Sequence, residues 1–213
     1  MSERRTRIKI CGLTRGEDVD LAVALGADAV GFVLFPASPR YVTPAQLKQL
    51  VARLPPFVTS VGLFVNAPRA SISALLGEAP LTLLQFHGEE SPADCAGFGI
   101  PYLRAIGVKA GLDLVEFAQR HHAAKALLLD AETESYGGAG KTFDWSLIPQ
   151  GLGHRAVLSG GLNAQNVAEA IARVRPFAVD VASGVERAKG IKDEGRMRAF
   201  FDAVRRADTL PEE

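Results

Sequence analysis

Residues 7–33 read RIKICGLTRGEDVDLAVALGADAVGFV, in which two short apolar runs flank an amphipathic, alanine-rich stretch. The outer runs have the length and β-branched content of strands, and the stretch between them has the apolar spacing of a helix. Two strands joined through a helix favour parallel pairing with a right-handed crossover, because a parallel return needs a long connection. This stretch therefore predicts a βαβ unit.

The same alternation continues along the chain and gives eight strand–helix pairs. Eight pairs favour a closed (β/α)8 TIM barrel over an open doubly wound sheet, whose usual G-x-G-x-x-G after the first strand is missing from residues 11–16. We predict one domain over residues 1–213, with short loops and with residues 1–6 and 209–213 as tails. The strands are expected to begin near Arg7, Ala29, Thr59, Leu81, Pro101, Lys125, Arg155 and Phe177, and the helices near Glu17, Pro44, Arg69, Pro92, Leu112, Trp145, Asn163 and Asp193.

The composition narrows the possible partners. The 24 basic and 24 acidic residues balance, so no uniform basic field attracts nucleic acid, and an anionic ligand must be held by local groups. No stretch reaches the roughly 18 apolar residues of a membrane span. Two cysteines without a C-x-x-C pair form no disulfide framework or metal site, which predicts a reducing, cytoplasmic location. Both a monomer and a homodimer remain open.

Polar residues interrupt two of the predicted strands where a barrel interior should be apolar. In the first strand the isoleucines are expected to face the helices, which turns Lys9 and Cys11 towards the lumen. Asp180 lies in the middle of the eighth strand, where an unpaired carboxylate is costly to bury. A lone cysteine is more often structural than reactive. A nearby lysine favours its thiolate, however, and both readings of Cys11 stay open.

Other polar side chains follow the strands at the end where barrel enzymes place their active sites. Gln85 and His87 share one face of the fourth strand, and Asp130 ends the apolar run of the sixth. Arg40 follows the second strand and is suited to bidentate binding of a carboxylate. His87 could equally be a core imidazole and Arg40 a surface arginine.

Glycine pairs after the seventh and eighth strands suggest a phosphate site. Gly160-Gly161 and Ser183-Gly184 stand where barrels often bind phosphate through backbone N–H groups. The segment 137–142 resembles a P-loop but has Ser135 where the motif requires glycine. The four histidines lack zinc-ligand spacing, so we predict no metal.

Taken together, these motifs resemble the phosphoribosylanthranilate isomerase family from about residue 7 to about residue 195. The sequence departs from the family pattern at Ala139 (usually Thr or Ser), Ser159 (usually Ala) and Ala182 (usually Ser). The resemblance rests on Lys9–Thr14, Gly26–Phe32, Ser38–Tyr41, Gly62–Asn66, Gln85–Gly88, Leu129-Asp130, Gly140–Trp145, Gly160–Leu162 and Val179–Glu186.

The resemblance implies a step of tryptophan biosynthesis, the Amadori rearrangement of N-(5-phosphoribosyl)anthranilate to 1-(2-carboxyphenylamino)-1-deoxyribulose 5-phosphate, without cofactor or metal. It implies that Asp130 is the general acid and Cys11 the general base, and that Arg40 binds the anthranilate carboxylate. Asp130 would have to hold a proton near neutral pH and Cys11 to be largely thiolate. His87 and Asp180 would line the pocket. Backbone N–H groups of Gly160, Gly161, Ser183 and Gly184 would bind phosphate.

Three rival interpretations differ from this one at identifiable residues. The related sugar isomerase of histidine biosynthesis would have a carboxylate where this chain has Cys11, together with an internal repeat. Indole-glycerol-phosphate synthase would need a lysine acid at a strand end and a longer N-terminus. A non-catalytic phosphosugar-binding barrel would have lost Cys11 or Asp130, and both are present.

Overall fold

The structure, a computed structural model, describes residues 5–131 and 142–209. Its eight parallel strands close into a barrel in chain order, with β8 paired to β1, so the predicted TIM barrel is confirmed. Every predicted strand start lies within two residues of an observed one. The strands are β1 (Arg7–Cys11), β2 (Ala29–Val33), β3 (Thr59–Phe64), β4 (Leu83–Phe86), β5 (Tyr102–Val108), β6 (Ala126–Ala131), β7 (Ala156–Leu158) and β8 (Ala178–Val181).

Helices cover the outside of the barrel, and local sequence signals fix where several begin. Thr43 forms a capping box with Gln46 at the start of α2, and Asp113 caps α5 by accepting from two backbone N–H groups. The helices are α1 (Gly16–Ala24), α2 (Pro44–Val51), α3 (Arg69–Glu78), α4 (Pro92–Cys95), α5 (Leu114–Arg120), α6 (Val167–Val174) and α7 (Glu194–Thr209).

The prediction of a helix near Trp145 was wrong. The described chain forms a three-residue 3₁₀ turn over Trp145–Leu147. Ile148 is extended because it precedes Pro149, and the ring of a proline disfavours helical backbone in the residue before it.

Two further features were not predicted. Thr6 lies in the expected N-terminal tail, but it is buried and its hydroxyl donates to Asp208 at 2.6 Å. After β8 the chain forms a 3₁₀ turn, Ser183–Val185, and then a small antiparallel hairpin of β9 (Glu186–Ala188) and β10 (Ile191–Lys192). This hairpin lies next to the mouth of the barrel, because Nζ of Lys192 on β10 donates to the carbonyl of Cys11 at the end of β1.

The core has two layers that follow the alternation of each strand. Ile8 and Ile10 pack with the helix-facing core, as predicted, while Cys11 belongs to a separate cluster with Val33 and Leu63. An apolar plug of leucine, alanine and valine fills the lumen below. It consists of Leu103, Ala105, Ala126, Leu128, Val157 and Ala178, with Leu83 packed against it.

The polar residues of the mouth follow from this plug by the two-residue period of a strand. Asp130 comes two residues after Leu128, and Asp180 comes two residues after Ala178. Both carboxylates therefore stand one layer above the plug, at the carboxyl ends of their strands.

Candidate active site

A buried ion pair occupies one side of the mouth. Nζ of Lys9 donates to Oδ1 of Asp180 at 2.8 Å, and the two residues are register partners on β1 and β8. Both side chains are nearly inaccessible, so each charge needs the other to offset the cost of leaving water. We call Lys9, Cys11 and Asp180 the thiol wall.

The electrostatics of Cys11 differ from the expectation of a largely thiolate base. Burial raises the pKa of its thiol, and the charge of Asp180 raises it further. The charge and hydrogen bond of Lys9 and the charge of Lys192 act in the opposite direction, but burial is the larger effect. Burial therefore favours the thiol form of Cys11 in the unliganded protein, so the thiolate that a base requires depends on the surroundings that a bound substrate adds.

On the opposite side of the mouth, His87 and Asp130 form a group that is more exposed to solvent. Nε2 of His87 lies 3.4 Å from Oδ2 of Asp130, and Nδ1 of His87 lies 3.0 Å from Nε2 of Gln85. Gly107 is the β5 register partner of Asp130, so β5 has no side chain to place between the histidine and the carboxylate. The other oxygen of Asp130 accepts from the N–H of Ala131. We call Gln85, His87 and Asp130 the carboxyl wall.

The end of β7 links the two walls. Oγ of Ser159 lies 3.5 Å from Oδ2 of Asp180, a long contact. Gly160 has φ +82°, and a Cβ at that position would lie 3.0 Å from Oδ1 of Asp130. Cys11 and Asp130 thus stand at the same end of the barrel, with the β7–α6 loop passing between them.

Arg40 is neither exposed nor free to rotate. Its Nε and Nη2 donate to the two carboxylate oxygens of Glu186 at 2.8 and 2.7 Å, and both residues are buried. Burial works against the charge of Glu186, but Arg40 and Lys192 together hold the pKa of its carboxyl below the usual value. The guanidinium is therefore held in one orientation beside the mouth.

The two predicted phosphate loops pack directly against each other. Gly184 comes so close to the carbonyl oxygen of Leu162 that a Cβ would overlap it. The Gly161 carbonyl accepts from Nδ2 of Asn166 at 3.0 Å, which ties this loop to the start of α6. Ser183 opens the 3₁₀ turn of the other loop.

Comparison with known proteins settles the family. A family model described as N-(5'phosphoribosyl)anthranilate (PRA) isomerase matches residues 8–203. The chain belongs to this family. It is similar to the N-(5'-phosphoribosyl)anthranilate isomerase of Leptothrix cholodnii, with 58% identity over 98% of this chain and 94% of that protein.

Solved structures of PRA isomerases share the fold closely. The enzyme from Thermotoga maritima is 44% identical with a TM-score of 0.86, over 94% of this chain and 98% of that one. A phosphoribosyl anthranilate isomerase structure was also solved in complex with reduced 1-(o-carboxyphenylamino)-1-deoxyribulose 5-phosphate. It is 41% identical with a TM-score of 0.83, over 94% of this chain and 98% of that one.

The three departures from the PRA isomerase sequence pattern differ in their structural consequences. The Ala182 carbonyl, which any residue would supply, accepts from Nζ of Lys192. Ser159 brings an extra hydroxyl towards Asp180. Ala139 lies outside the described residues, as do residues 137–141 of the P-loop-like segment.

Sequence reasoning missed Glu186 and Lys192 as members of the site. Glu186 lay in a quoted motif but had no assigned partner, and only the hairpin brings it to Arg40. Lys192 shows no signal in sequence, because its burial depends on β10 folding back over β1 and β8.

Two negative findings hold for residues 5–131 and 142–209. Within these ranges no three His, Cys, Asp or Glu side chains are grouped so that they could hold a metal ion. The helices in the same ranges are all too short or too polar to cross a membrane.

Proposed function

We propose that this chain isomerises N-(5'-phosphoribosyl)anthranilate with Asp130 as general acid and Cys11 as general base. The observation that carries the proposal is their placement at one end of the barrel, joined through Asp180, Ser159 and Gly160. An aldose-to-ketose shift beside nitrogen needs an acid, a base and anchors for two anions, and uses no redox cofactor.

Asp130 acts first. It donates a proton to the ribose ring oxygen as the bond from that oxygen to C1′ breaks, and the lone pair of the anilino nitrogen completes a C=N bond. The product is an open-chain Schiff base. His87, 3.4 Å from the carboxyl group, orients it, while Gln85 fixes the imidazole from its other nitrogen.

Cys11, in its thiolate form, then takes the proton from C2′. The electrons of that C–H bond form a C1′=C2′ bond, and the C=N pair returns to nitrogen as an enolamine, which tautomerises to the ketone. Because burial raises the pKa of Cys11 in the unliganded protein, the cationic Schiff base has to contribute. A positive charge beside the thiol favours the thiolate and acidifies C2′.

Anchors at opposite ends hold the substrate between the walls. Nη1 of Arg40 is the atom that we assign to the anthranilate carboxylate, since Glu186 engages Nε and Nη2. Backbone N–H groups of Gly160, Gly161, Ser183 and Gly184 bind the phosphate, while His87 and Asp180 line the pocket. We place this enzyme of tryptophan biosynthesis in the cytoplasm, as a monomer or homodimer that needs no cofactor.

The test replaces Cys11 by Ala and Asp130 by Asn and follows the loss of substrate fluorescence. Positioned acid–base groups typically supply about 10²–10⁴ in rate, so each variant should lose at least about 10²-fold in kcat. Cys95→Ala is the matched control, because Cys95 is the other buried cysteine and lies on α4. A smaller loss in either variant would remove that residue from its role.

A further inference from the structure

Lys192 has the most completely buried lysine side chain at the mouth of the barrel. Its Nζ has three hydrogen-bond partners, and all three are acceptors. Its Nζ donates to the carbonyl of Cys11 at 2.6 Å, to the carbonyl of Ala182 at 3.0 Å and to Oε1 of Glu186 at 3.0 Å. A neutral amine has two N–H donors and a lone pair, whereas an ammonium has three donors. Three acceptors around one nitrogen favour the ammonium form of this fully buried side chain. Burial lowers the pKa of Lys192, and the charge and hydrogen bond of Glu186 act against that effect.

The two carbonyls come from the point where the β1–β8 ladder stops. The last register partners of these strands are Ile10 and Val181. Cys11 follows Ile10 on β1, Ala182 directly follows the end of β8, and Lys192 bridges their carbonyl oxygens. The ammonium thus continues the ladder by one step and fixes the backbone that carries the Cys11 thiol.

The same ammonium also supports Arg40. Oε1 of Glu186 accepts from Lys192 and from Nε of Arg40, while Oε2 accepts from Nη2 of Arg40. Glu186 therefore lies between two cations, and its position depends on both. The N–H of Lys192 donates to Oδ2 of Asp18 on α1 at 3.1 Å, which holds β10 in place from behind.

We propose that Lys192 is a positioning residue of the isomerase, which fixes the backbone of Cys11 directly and the guanidinium of Arg40 through Glu186. The inference rests on the roles proposed above for Cys11 and Arg40. Lys192 itself does not contact substrate, because its three donors point to protein acceptors. One buried cation thereby links the base to the carboxylate anchor.

The charge of Lys192 acts on Cys11 together with the charged groups that face the thiol from the surrounding elements. Lys9 faces it from β1, Asp180 from β8, Lys192 from β10, and Arg40 from the loop after β2. Among these groups Lys192 lowers the pKa of the thiol against the effect of burial. Removing its charge should therefore make Cys11 a weaker acid.

The experiment compares Lys192→Met and Lys192→Arg with the wild-type protein. Methionine removes the charge and all three donors, whereas arginine keeps the charge but cannot place three donors on the same acceptors. Lys189→Met is the matched control, because Lys189 is an exposed lysine of the same hairpin. Lys192→Gln, which keeps two N–H donors without the charge, replaces Lys192→Met should the latter fail to fold by circular dichroism.

Two measurements are made on each variant. The first is the pH dependence of Cys11 alkylation by iodoacetamide, read from its tryptic peptide by mass spectrometry. Cys95 is the internal reference, because burial raises the pKa of its thiol to about 12. The second is the pH dependence of kcat/KM, together with KM for phosphoribosylanthranilate, since the pH profile of kcat/KM reports the groups of the free enzyme.

In Lys192→Met we expect the alkylation midpoint of Cys11 and the limb of the kcat/KM profile that depends on the ionisation of Cys11 to move together to higher pH, by roughly one pH unit. KM should rise about tenfold, because Glu186, which holds Arg40, loses one of its two cationic partners. Lys192→Arg should keep the midpoint and raise only KM. Lys189→Met should match the wild type in both measurements.

Two results separate this inference from the function on which it rests. An unchanged alkylation midpoint and an unchanged KM in the folded, uncharged Lys192 variant would overturn the positioning role. If the alkylation midpoint moves while the limb of kcat/KM stays, Lys192 acts on Cys11 as proposed, but Cys11 is not the base, and the proposed catalytic role of Cys11 fails instead.

Discussion

The two walls of the mouth face the same space but are built differently. On the thiol wall, Lys9 and Asp180 form a 2.8 Å ion pair whose side chains are 4% and 6% exposed. On the carboxyl wall, His87 and Asp130 stand 3.4 Å apart and are 16% and 17% exposed. The ion pair of the thiol wall is buried and held by a short hydrogen bond. His87 and Asp130 of the carboxyl wall are partly exposed to solvent and lie farther apart.

This difference has a physical reason. A base that works from a thiol needs cations nearby, and buried cations need fixed counter-charges, so the thiol wall must be rigid. A carboxyl group that gives up a proton in each turnover must regain one, which access to water allows. The Lys9–Asp180 ion pair of the thiol wall should therefore respond to substitution mainly in stability, and Asp130 of the carboxyl wall mainly in rate.

The sharpest test of this contrast compares Asp180→Asn with Asp130→Asn. Asp180→Asn leaves the Lys9 ammonium buried without its carboxylate, and breaking a buried pair typically costs about 3–5 kcal/mol. Asp130→Asn should change the free energy of unfolding by less than about 1 kcal/mol, because the side chain is partly exposed. Urea unfolding of both variants measures the difference. Equal losses would show that the two walls do not differ in this way.

We expect low pH to destabilise the protein through His121, a buried histidine behind the carboxyl wall. Arg104 donates to the carbonyls of Phe86 and Gly88, on either side of His87. Burial and the charges of Arg104 and Arg120 lower the pKa of His121 to about 4. Since the unfolded chain takes up this proton near pH 6.5, stability is full above that pH and is lost as the pH falls towards 4.

The loss from His121 should reach up to about 3 kcal/mol. It is measured as the free energy of unfolding between pH 7 and pH 4. His121→Leu should flatten this dependence, whereas His122→Leu, at the exposed neighbouring histidine, should keep it. A curve that stays equally steep in His121→Leu would assign the acid sensitivity to other groups.

Arg40→Ala tests the anchor at the edge of the thiol wall. We expect KM to rise about tenfold or more with a smaller change in kcat, because the proposed role of the guanidinium is to bind a carboxylate that does not react. Glu186 keeps Lys192 as a partner, which limits the cost to folding. Steady-state kinetics on phosphoribosylanthranilate measure both constants, and a constant KM would show that Arg40 does not bind the carboxylate.

The smallest effect is expected at the junction between the walls. Ser159→Ala removes a 3.5 Å contact to Asp180 and restores the residue usual in the family. Asp180 keeps its short bond to Lys9, so the change in unfolding free energy should stay below about 0.5 kcal/mol. Thermal unfolding and kcat/KM measure it. A loss above about 1 kcal/mol would give the hydroxyl a structural role.

Much of the fold was readable from sequence because its signals are local. Apolar runs with turn residues between them mark all eight strands, and the two-residue period places Lys9, Cys11 and Asp180 towards the lumen. The prediction of a helix near Trp145 was wrong, because the restriction that Pro149 places on Ile148 overrides the apolar spacing. The roles of Cys11 and Asp130 remain predictions.

The sequence by itself determined the closed barrel, the end of it that carries the polar residues, and the family resemblance that the comparisons confirmed. Only the tertiary structure decided the ionisation of Cys11 and the partners of Arg40 and Lys192. The physical reason is the separation in sequence between the groups that interact. Strand alternation depends on adjacent residues, whereas desolvation and ion pairing depend on groups more than 140 positions apart that meet only in the folded chain.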